Sequence, residues 1–178
     1  MAEILLIRHA HSDANNGGDL AFGNREARLT PRGLGQVALL RQKLIEVHHI
    51  IPEEYPYPVF TSNFRRAFQT AAFAGFRVIR VSELLDEIDD YASIDLGRYS
   101  SVVERHASEG GWFPEEEIKR SGKLQQAILN GELGQIQVSH GTPIGLVKMG
   151  LNKLGYSYPF DPIRGYIPKQ GEITAVNY

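Results

Sequence analysis

The feature that most constrains the fold is a short, unbroken apolar run near the start of the sequence. The run from Ile4 to Ile7 includes no polar residue, whereas a strand with one solvent-exposed face alternates apolar and polar positions. We therefore expect a strand covered on both faces, as in a parallel sheet between helices. Arg8 and His9 follow the run directly. Because an unpaired charge is costly to bury, we expect this pair at the open end of the strand.

Helical and strand-like segments alternate along the rest of the chain. A helix is predicted to begin at Pro31 with Thr30 as its N-cap. Its apolar face would carry four residues at spacings of three and four, Val37, Leu40, Leu44 and Val47. Further strands are predicted at 57–62, 76–82, 135–141 and 172–177, and further helices at 63–75, 114–131 and from the cap and proline Thr142-Pro143 to about Leu154. This alternation predicts one α/β domain over residues 1–178, three layers deep, with a mostly parallel central sheet and helices on both faces.

Composition narrows the range of partners. The net charge of −2 gives no electrostatic reason to expect nucleic acid or an anionic membrane surface. The chain has no cysteine, which excludes disulfides, zinc–thiolate sites and cysteine nucleophiles. No apolar run is long enough for a signal-peptide core or a membrane span, so we expect a cytoplasmic protein. The sequence carries no indication of the oligomeric state.

Polar residues follow three of the predicted strands. Arg8 and His9 lie at the end of the first strand, Ser62 lies at the end of the second with Arg66 just past it, and His140 lies at the end of the fourth. Ligands of parallel α/β sheets bind beyond the carboxyl ends of the strands. We therefore expect these side chains to lie together at one edge of the sheet.

Two arginines and two histidines in one place suggest phosphate chemistry. A guanidinium matches phosphate oxygens and stays charged at any relevant pH. A neutral imidazole can attack phosphorus near pH 7, giving a phosphohistidine, while a second, protonated imidazole stabilises the transferred charge. A helix that begins at Thr142-Pro143 would favour an anion nearby. The acid needed to protonate a leaving alcohol would come from the acidic run 84–90.

The same residues allow other interpretations. His9 and His11 could be two metal ligands on one strand face, but no further ligand spacing supports a metal, and Arg8 beside a cation would be unfavourable. We therefore expect no metal and no cofactor. His11 could equally contact substrate or lie in a surface loop, and Ser62 could be no more than a helix cap. Three acids of the following segment are expected to be solvated, Asp86, Asp89 and Asp95.

Five segments, in order along nearly the whole chain, resemble motifs of the histidine phosphatase superfamily, the phosphoglycerate mutase-like proteins. They are LLIRHAHSDAN, LTPRGLGQ, TSNFRRAFQTA, VSHGTP and IPKQGEIT. The resemblance implies that His9 is the phosphorylated nucleophile, in a catalytic set comprising Arg8, Arg66, His140 and the general acid Glu87, with Asp90 as the alternative acid. It implies a substrate-binding set comprising Asn15, Ser62, Gly141, Thr142 and His11.

The sequence departs from the family pattern at several points. Ala10 stands where the family has glycine, and His11 stands where it has glutamate or glutamine. His140 lies only 53 positions after Glu87, and mutases of the family carry longer insertions there. The interval implies a short lid segment around 88–115 and an open pocket, which favours a phosphatase over a mutase.

The leading hypothesis is a metal-independent phosphomonoester hydrolase that works through phosphohistidine at His9 on a small phosphorylated substrate. The alternatives are a phosphohistidine or phosphoprotein phosphatase, whose partner would be a phosphohistidine protein, and a phosphoglycerate-type mutase. A phosphate-binding regulatory module without turnover is an alternative of another class. Specificity is expected to reside in loops 16–28, 89–113 and 155–170.

Overall fold

The computed structural model describes residues 3–15, 24–87, 115–153 and 168–177. The strands in these ranges are β1 (Glu3–Arg8), β2 (Val59–Thr61), β3 (Ile79–Val81), β4 (Ile136–Ser139) and β5 (Ile173–Asn177). The α-helices are α1 (Pro31–Glu46), α2 (Arg65–Ala74), α3 (Glu115–Leu129) and α4 (Gly141–Lys153). Most of the predicted lid and of the three predicted specificity loops lies outside the described residues.

The strands form one five-stranded sheet in the order β3-β2-β4-β1-β5. β1, β2, β3 and β4 run parallel, and only β5, which pairs with β1, is antiparallel among the described strands. This confirms the predicted α/β fold with a mostly parallel sheet. Arg8 pairs with Ser139, and Thr61 pairs with Val138. The chain therefore leaves β1, β2 and β4 at the same edge and at nearly the same level.

The apolar run of β1 is unbroken because it fills two cores. Leu5 and Ile7 pack on one face of the sheet with the buried residues of α1 and α2. Ile4 and Leu6 pack on the other face with those of α3 and α4. All four side chains are at most 2% exposed. A polar residue in this run would lie in one core or the other without access to water.

The helix boundaries test the predicted caps. Thr30 caps α1, where its side-chain oxygen accepts the amide of Gly33, and Pro31 is the first helical residue, as expected. Val47 is 64% exposed, so its assignment to the apolar face was wrong; α1 ends at Glu46, one residue before it. The last helix begins at Gly141 rather than Pro143, so the residue preceding it is His140 instead of Thr142.

Gly75 ends α2, as predicted. Its φ of 109° lies in the left-handed region, which glycine adopts without steric cost. Its amide donates to the carbonyl oxygen of Ala71, one of the last carbonyls of the helix. The chain can therefore turn back towards β3 directly after α2.

The start of α1 is clamped against the chain just beyond β1. The amide of Thr30 donates to the carbonyl oxygen of His11 at 3.1 Å, and the amide of His11 donates to Oε1 of Gln36 at 2.7 Å. A Cβ at Gly33 would collide with that same carbonyl oxygen. Gly33 therefore permits the close approach that connects α1 to the site-bearing segment after β1.

We expect Gly33→Ala to lower the free energy of unfolding by about 1–3 kcal/mol, because either helix α1 or the segment after β1 must shift to relieve the clash with the His11 carbonyl oxygen. Gly35→Ala is the matched control, since a Cβ there meets nothing within 4 Å. That change should raise stability by up to about 1 kcal/mol through helix propensity. Urea denaturation of both variants measures the difference, and equal stabilities would contradict the clamp.

Candidate active site

Two histidines lie side by side where β1 and β4 end. His9 and His140 each follow one member of the residue pair Arg8 and Ser139, so the strand register alone makes them neighbours. Their ring centroids are 4.9 Å apart, with the planes inclined by 61°. Both are buried, at 2% and 0% exposure. The predicted convergence of Arg8, His9, Arg66 and His140 at one sheet edge is therefore found in the structure.

The hydrogen bonds of His9 assign its protons. Nδ1 lies 2.7 Å from the carbonyl oxygen of Ala10, which can only accept, so Nδ1 carries the ring proton. Nε2 is then left with its lone pair, and Nε of Arg66 donates to it at 3.2 Å. Burial, followed by the charges of Arg66 and Arg8, holds the pKa of His9 well below its usual value. The ring is therefore neutral at pH 7, as a nucleophile must be.

Arg66 is held rigidly beside His9. It is 1% exposed on the first turn of α2, and its Nη1 donates to the carbonyl oxygen of Asn24 at 2.8 Å. Its guanidinium carbon lies 4.6 Å from the ring centroid of the buried Phe64. The charge is thus fixed in the pocket before any anion arrives.

Arg8 supplies the second charge on the His9 side. Its Nη1 donates to the carbonyl oxygen of Pro168 at 2.8 Å, which ties the end of β1 to the segment before β5. Its charge lowers the pKa of both histidines. Two guanidiniums and two imidazoles therefore share one buried region, which suits a dianion.

His140 contacts two carboxylate groups, one of them through a hydroxyl. Its Nε2 lies 2.8 Å from Oγ of Ser62, and that hydroxyl donates to Oδ1 of Asp86 at 2.9 Å. Its Nδ1 lies 3.9 Å from Oε2 of Glu87 and has no hydrogen bond among the described residues. The pKa of His140 is held well below its usual value by burial first, and then by the charges of His9, Arg66, Arg8 and Arg120.

The acids of the following segment differ from expectation in one respect. Glu87 is buried beside His140, which is compatible with the general-acid role that stays a prediction. Asp86 was expected to be solvated, and that was wrong. It is 4% exposed because Oδ1 accepts the amide of Asn63 at 2.7 Å as well as the Ser62 hydroxyl. Asp90, Asp89 and Asp95 lie outside the described residues.

Hydrogen bonds within the protein hold the predicted substrate-binding residues Ser62, His11 and Asn15. Ser62 is fully buried with its Oγ 2.8 Å from Nε2 of His140, and its substrate-binding role stays a prediction. Nδ1 of His11 lies 2.8 Å from Oγ1 of Thr30. Oδ1 of Asn15 accepts the amide and hydroxyl of Ser12 at 2.8 and 3.1 Å.

Gly141 and Thr142 are buried in the first turn of α4, directly after His140. The first amides of a helix have no partner within the helix, so this turn favours an anion. Their substrate-binding role stays a prediction, as does that of His11 and Asn15.

The sequence analysis did not predict that two further residues, Asp86 and Arg120, lie near the site. Asp86 bonds to Ser62 across 24 positions of chain. Arg120 of α3 lies close enough for its charge to lower the pKa of His140, and with Ser121 it lines a small cavity whose other walls are Leu84, Leu124, Pro143 and Leu146. No strand-end pattern points to Arg120, because it lies within helix α3 and not at the end of a strand.

Within the part of the chain that the structure describes, no three histidine, aspartate or glutamate side chains come together as a metal site would require. None of the helices in the described ranges combines the length and the apolar character needed to cross a membrane.

Comparison with solved structures shows the same fold. A protein from Escherichia coli, proposed to be an alpha-ribazole-5'-P phosphatase, has a TM-score of 0.67 and 19% identity over 99% of this chain and 91% of its own. A mycobacterial glucosyl-3-phosphoglycerate phosphatase, in complex with VO3, has a TM-score of 0.65 and 19% identity over 98% and 92% of the two chains. A mutant phosphoserine phosphatase from Entamoeba histolytica, in complex with phosphoserine, has a TM-score of 0.61 and 20% identity over 86% and 81%.

Comparison with sequences gives the family. No curated protein is similar enough in sequence to count as a match. The family model for the histidine phosphatase superfamily (branch 1) matches residues 4–161. That span includes β1 to α4 and each member of the predicted catalytic set, and it confirms the prediction of a phosphatase-type enzyme. The chain belongs to the histidine phosphatase superfamily, branch 1.

Proposed function

We propose that the chain is a phosphomonoester hydrolase that forms a phosphohistidine at Nε2 of His9 and requires no metal. The observation that carries the proposal is the state of His9. Its Nδ1 proton is held by the Ala10 carbonyl, its Nε2 lone pair accepts a hydrogen bond from Nε of Arg66, and burial keeps the ring neutral. These are the requirements of an imidazole nucleophile.

The first half-reaction follows from the pocket charges. A phosphoryl dianion would take the place of the Nε2 lone pair as the acceptor of the Arg66 Nε–H, with Arg8 on its other side. Nε2 of His9 attacks phosphorus, the N–P bond forms, and the ester P–O bond breaks. Glu87 gives its proton to the leaving alcohol oxygen.

The second half-reaction returns the enzyme to its starting state. Water attacks the phosphorus of phosphohistidine and gives a proton to the Glu87 carboxylate. The N–P bond breaks, and its electron pair becomes the Nε2 lone pair again. Inorganic phosphate leaves, and Glu87 is protonated for the next cycle.

The departures from the family motif leave this machinery in place. Ala10 is fully buried, and its amide donates to Oγ1 of Thr70 at 3.0 Å while its carbonyl holds the His9 proton. His11 contacts Thr30 rather than His9. These contacts favour a working enzyme over a binding module without turnover.

A cytoplasmic location is part of the same proposal.

The nucleophile is tested by phosphate release with EDTA present. The substrates are phosphoserine, sugar phosphates and a phosphohistidine peptide, chosen because structures of similar fold include phosphoserine and glucosyl-3-phosphoglycerate phosphatases. We expect wild-type release to survive EDTA and His9→Ala to lose it by at least about 10³-fold. His49→Ala, at an exposed position outside the site, should retain wild-type release. Release abolished by EDTA, or retained in His9→Ala, would contradict the proposal.

The role of Glu87 is tested by varying the leaving group. Glu87→Gln should slow hydrolysis of alkyl phosphates by about 10²–10⁴-fold, because an alkoxide leaves poorly without a proton. It should slow aryl phosphates and the phosphohistidine peptide far less. Equal losses on all substrates would contradict the acid role. A wild-type preference for the phosphohistidine peptide, with no effect of Glu87→Gln, would favour the phosphohistidine phosphatase alternative.

The lowered pKa of His9 predicts a shifted acid limit of activity. Since only the neutral ring attacks, kcat/KM should be lost on acidification as pH falls through the folded-state pKa, which lies below the usual 6.5. Profiles corrected for substrate ionisation, with NMR titration of the His9 ring, measure this limit. A His9 ring that becomes half protonated at or above pH 6.5 in the free protein would refute the assignment.

A further inference from the structure

The buried contacts behind His140 form a chain from Asp86 through Ser62 to the imidazole. Asp86 is 4% exposed, and Ser62 and His140 are fully buried. The two hydrogen bonds of the chain measure 2.9 and 2.8 Å. None of the family motifs in the sequence accounts for Asp86.

The direction of each hydrogen bond follows from what each group can donate. The Asp86 carboxylate only accepts, and it already accepts the amide of Asn63, so the Ser62 hydroxyl proton is directed towards it. The Ser62 oxygen is then an acceptor, as its 3.0 Å bond from the amide of Phe64 also requires. Nε2 of His140 must therefore be the donor across the remaining 2.8 Å.

This assignment decides what His140 presents to the pocket. With the proton on Nε2, a neutral ring has a bare lone pair at Nδ1. That atom has no hydrogen bond among the described residues, and Oε2 of Glu87 stands 3.9 Å away. A lone pair would repel an unprotonated phosphate oxygen, so the ring needs a proton at Nδ1 to hold such an oxygen.

We infer that Asp86 and Ser62 are positioning residues that hold the proton of His140 on Nε2, so that phosphate binding is coupled to uptake of one proton at Nδ1. The inference rests on the proposed function, because it assigns how that same pocket receives its phosphate. The positive ring formed in this way donates from Nδ1 to the anion. Its charge is stabilised from behind by the Asp86 carboxylate through the Ser62 hydroxyl.

The charged groups that surround His140 in the described part of the chain fit this coupling. His9 and Arg8 face it from the end of β1, Arg66 faces it from α2, and Arg120 faces it from α3. In the free protein these groups oppose a charge on the ring, and the Asp86 carboxylate favours one. A bound dianion offsets the cations, so protonation at Nδ1 becomes favourable only together with binding.

The test is nitrogen-15 NMR of the histidine rings in the full chain, with and without inorganic phosphate at pH 7. We expect the free protein to have His140 protonated at Nε2 and bare at Nδ1, and the phosphate complex to have both nitrogens protonated. A free-protein ring protonated at Nδ1 and bare at Nε2 would overturn the inference. So would a complex in which Nδ1 stays bare.

Three substitutions distinguish a positioning role of Asp86 and Ser62 from a purely structural one. Asp86→Asn keeps an acceptor for Ser62 and removes the charge. We expect this loss to lower the pKa of the His140 ring in the complex by about one unit. Phosphate affinity should therefore fall about tenfold at pH 7 and recover towards pH 6. Ser62→Ala should leave His140 in a mixture of tautomers. Glu83→Gln is the matched control, since Glu83 is an exposed acid in the same turn, and it should change neither affinity nor its pH dependence.

Equal phosphate affinity and equal pH dependence in Asp86→Asn and Glu83→Gln would overturn the inference, even if Ser62→Ala fails to fold. These measurements use binding and not turnover. A wild type without phosphatase activity but with the expected ring states would refute the hydrolase proposal alone. Turnover with the opposite tautomer of His140 would refute the positioning role alone.

Discussion

The parallel pairing of β1 with β4 is the constraint on which the rest of the site depends. Arg8 pairs with Ser139, so the next residues on the two strands, His9 and His140, emerge together. A slip of one residue would turn Ile7 and Leu6 to the wrong cores as well as separate the two rings. The hydrophobic packing that stabilises the sheet is therefore also what sets the distance between the two imidazoles.

The pocket concentrates positive charge in a buried space. Arg66 is buried with its guanidinium bound by protein groups, and burial, followed by the fixed charges, keeps both imidazoles neutral in the free protein. The same arrangement gives His9 its lone pair and leaves the pocket attractive to a dianion. Burial is thus the first cause of the neutral state of both rings, and the Asp86 carboxylate supplies the opposing charge on the His140 side.

The sequence predicts features that depend on local pattern and fails where contacts are long-range. Thr30 and Gly75 were predictable because caps are set by residues within one turn of chain. The site edge was predictable because parallel strands end together. Asp86 was not, because its burial arises from Ser62 and Asn63, more than twenty positions earlier, and no local pattern encodes that contact. The assignment of Val47 to the apolar face was wrong because periodicity does not mark the residue at which a helix ends.

The most direct measurement of the central claim is chemical identification of the phosphoenzyme. The protein is mixed with a substrate that it turns over, and the reaction is quenched in base. The protein is then digested, and its phosphopeptides are mapped by mass spectrometry and phosphorus NMR. The account predicts a base-stable, acid-labile phosphate on Nε2 of His9. Phosphate on His140 or His11, or steady turnover with no phosphohistidine under rapid quench, would contradict it.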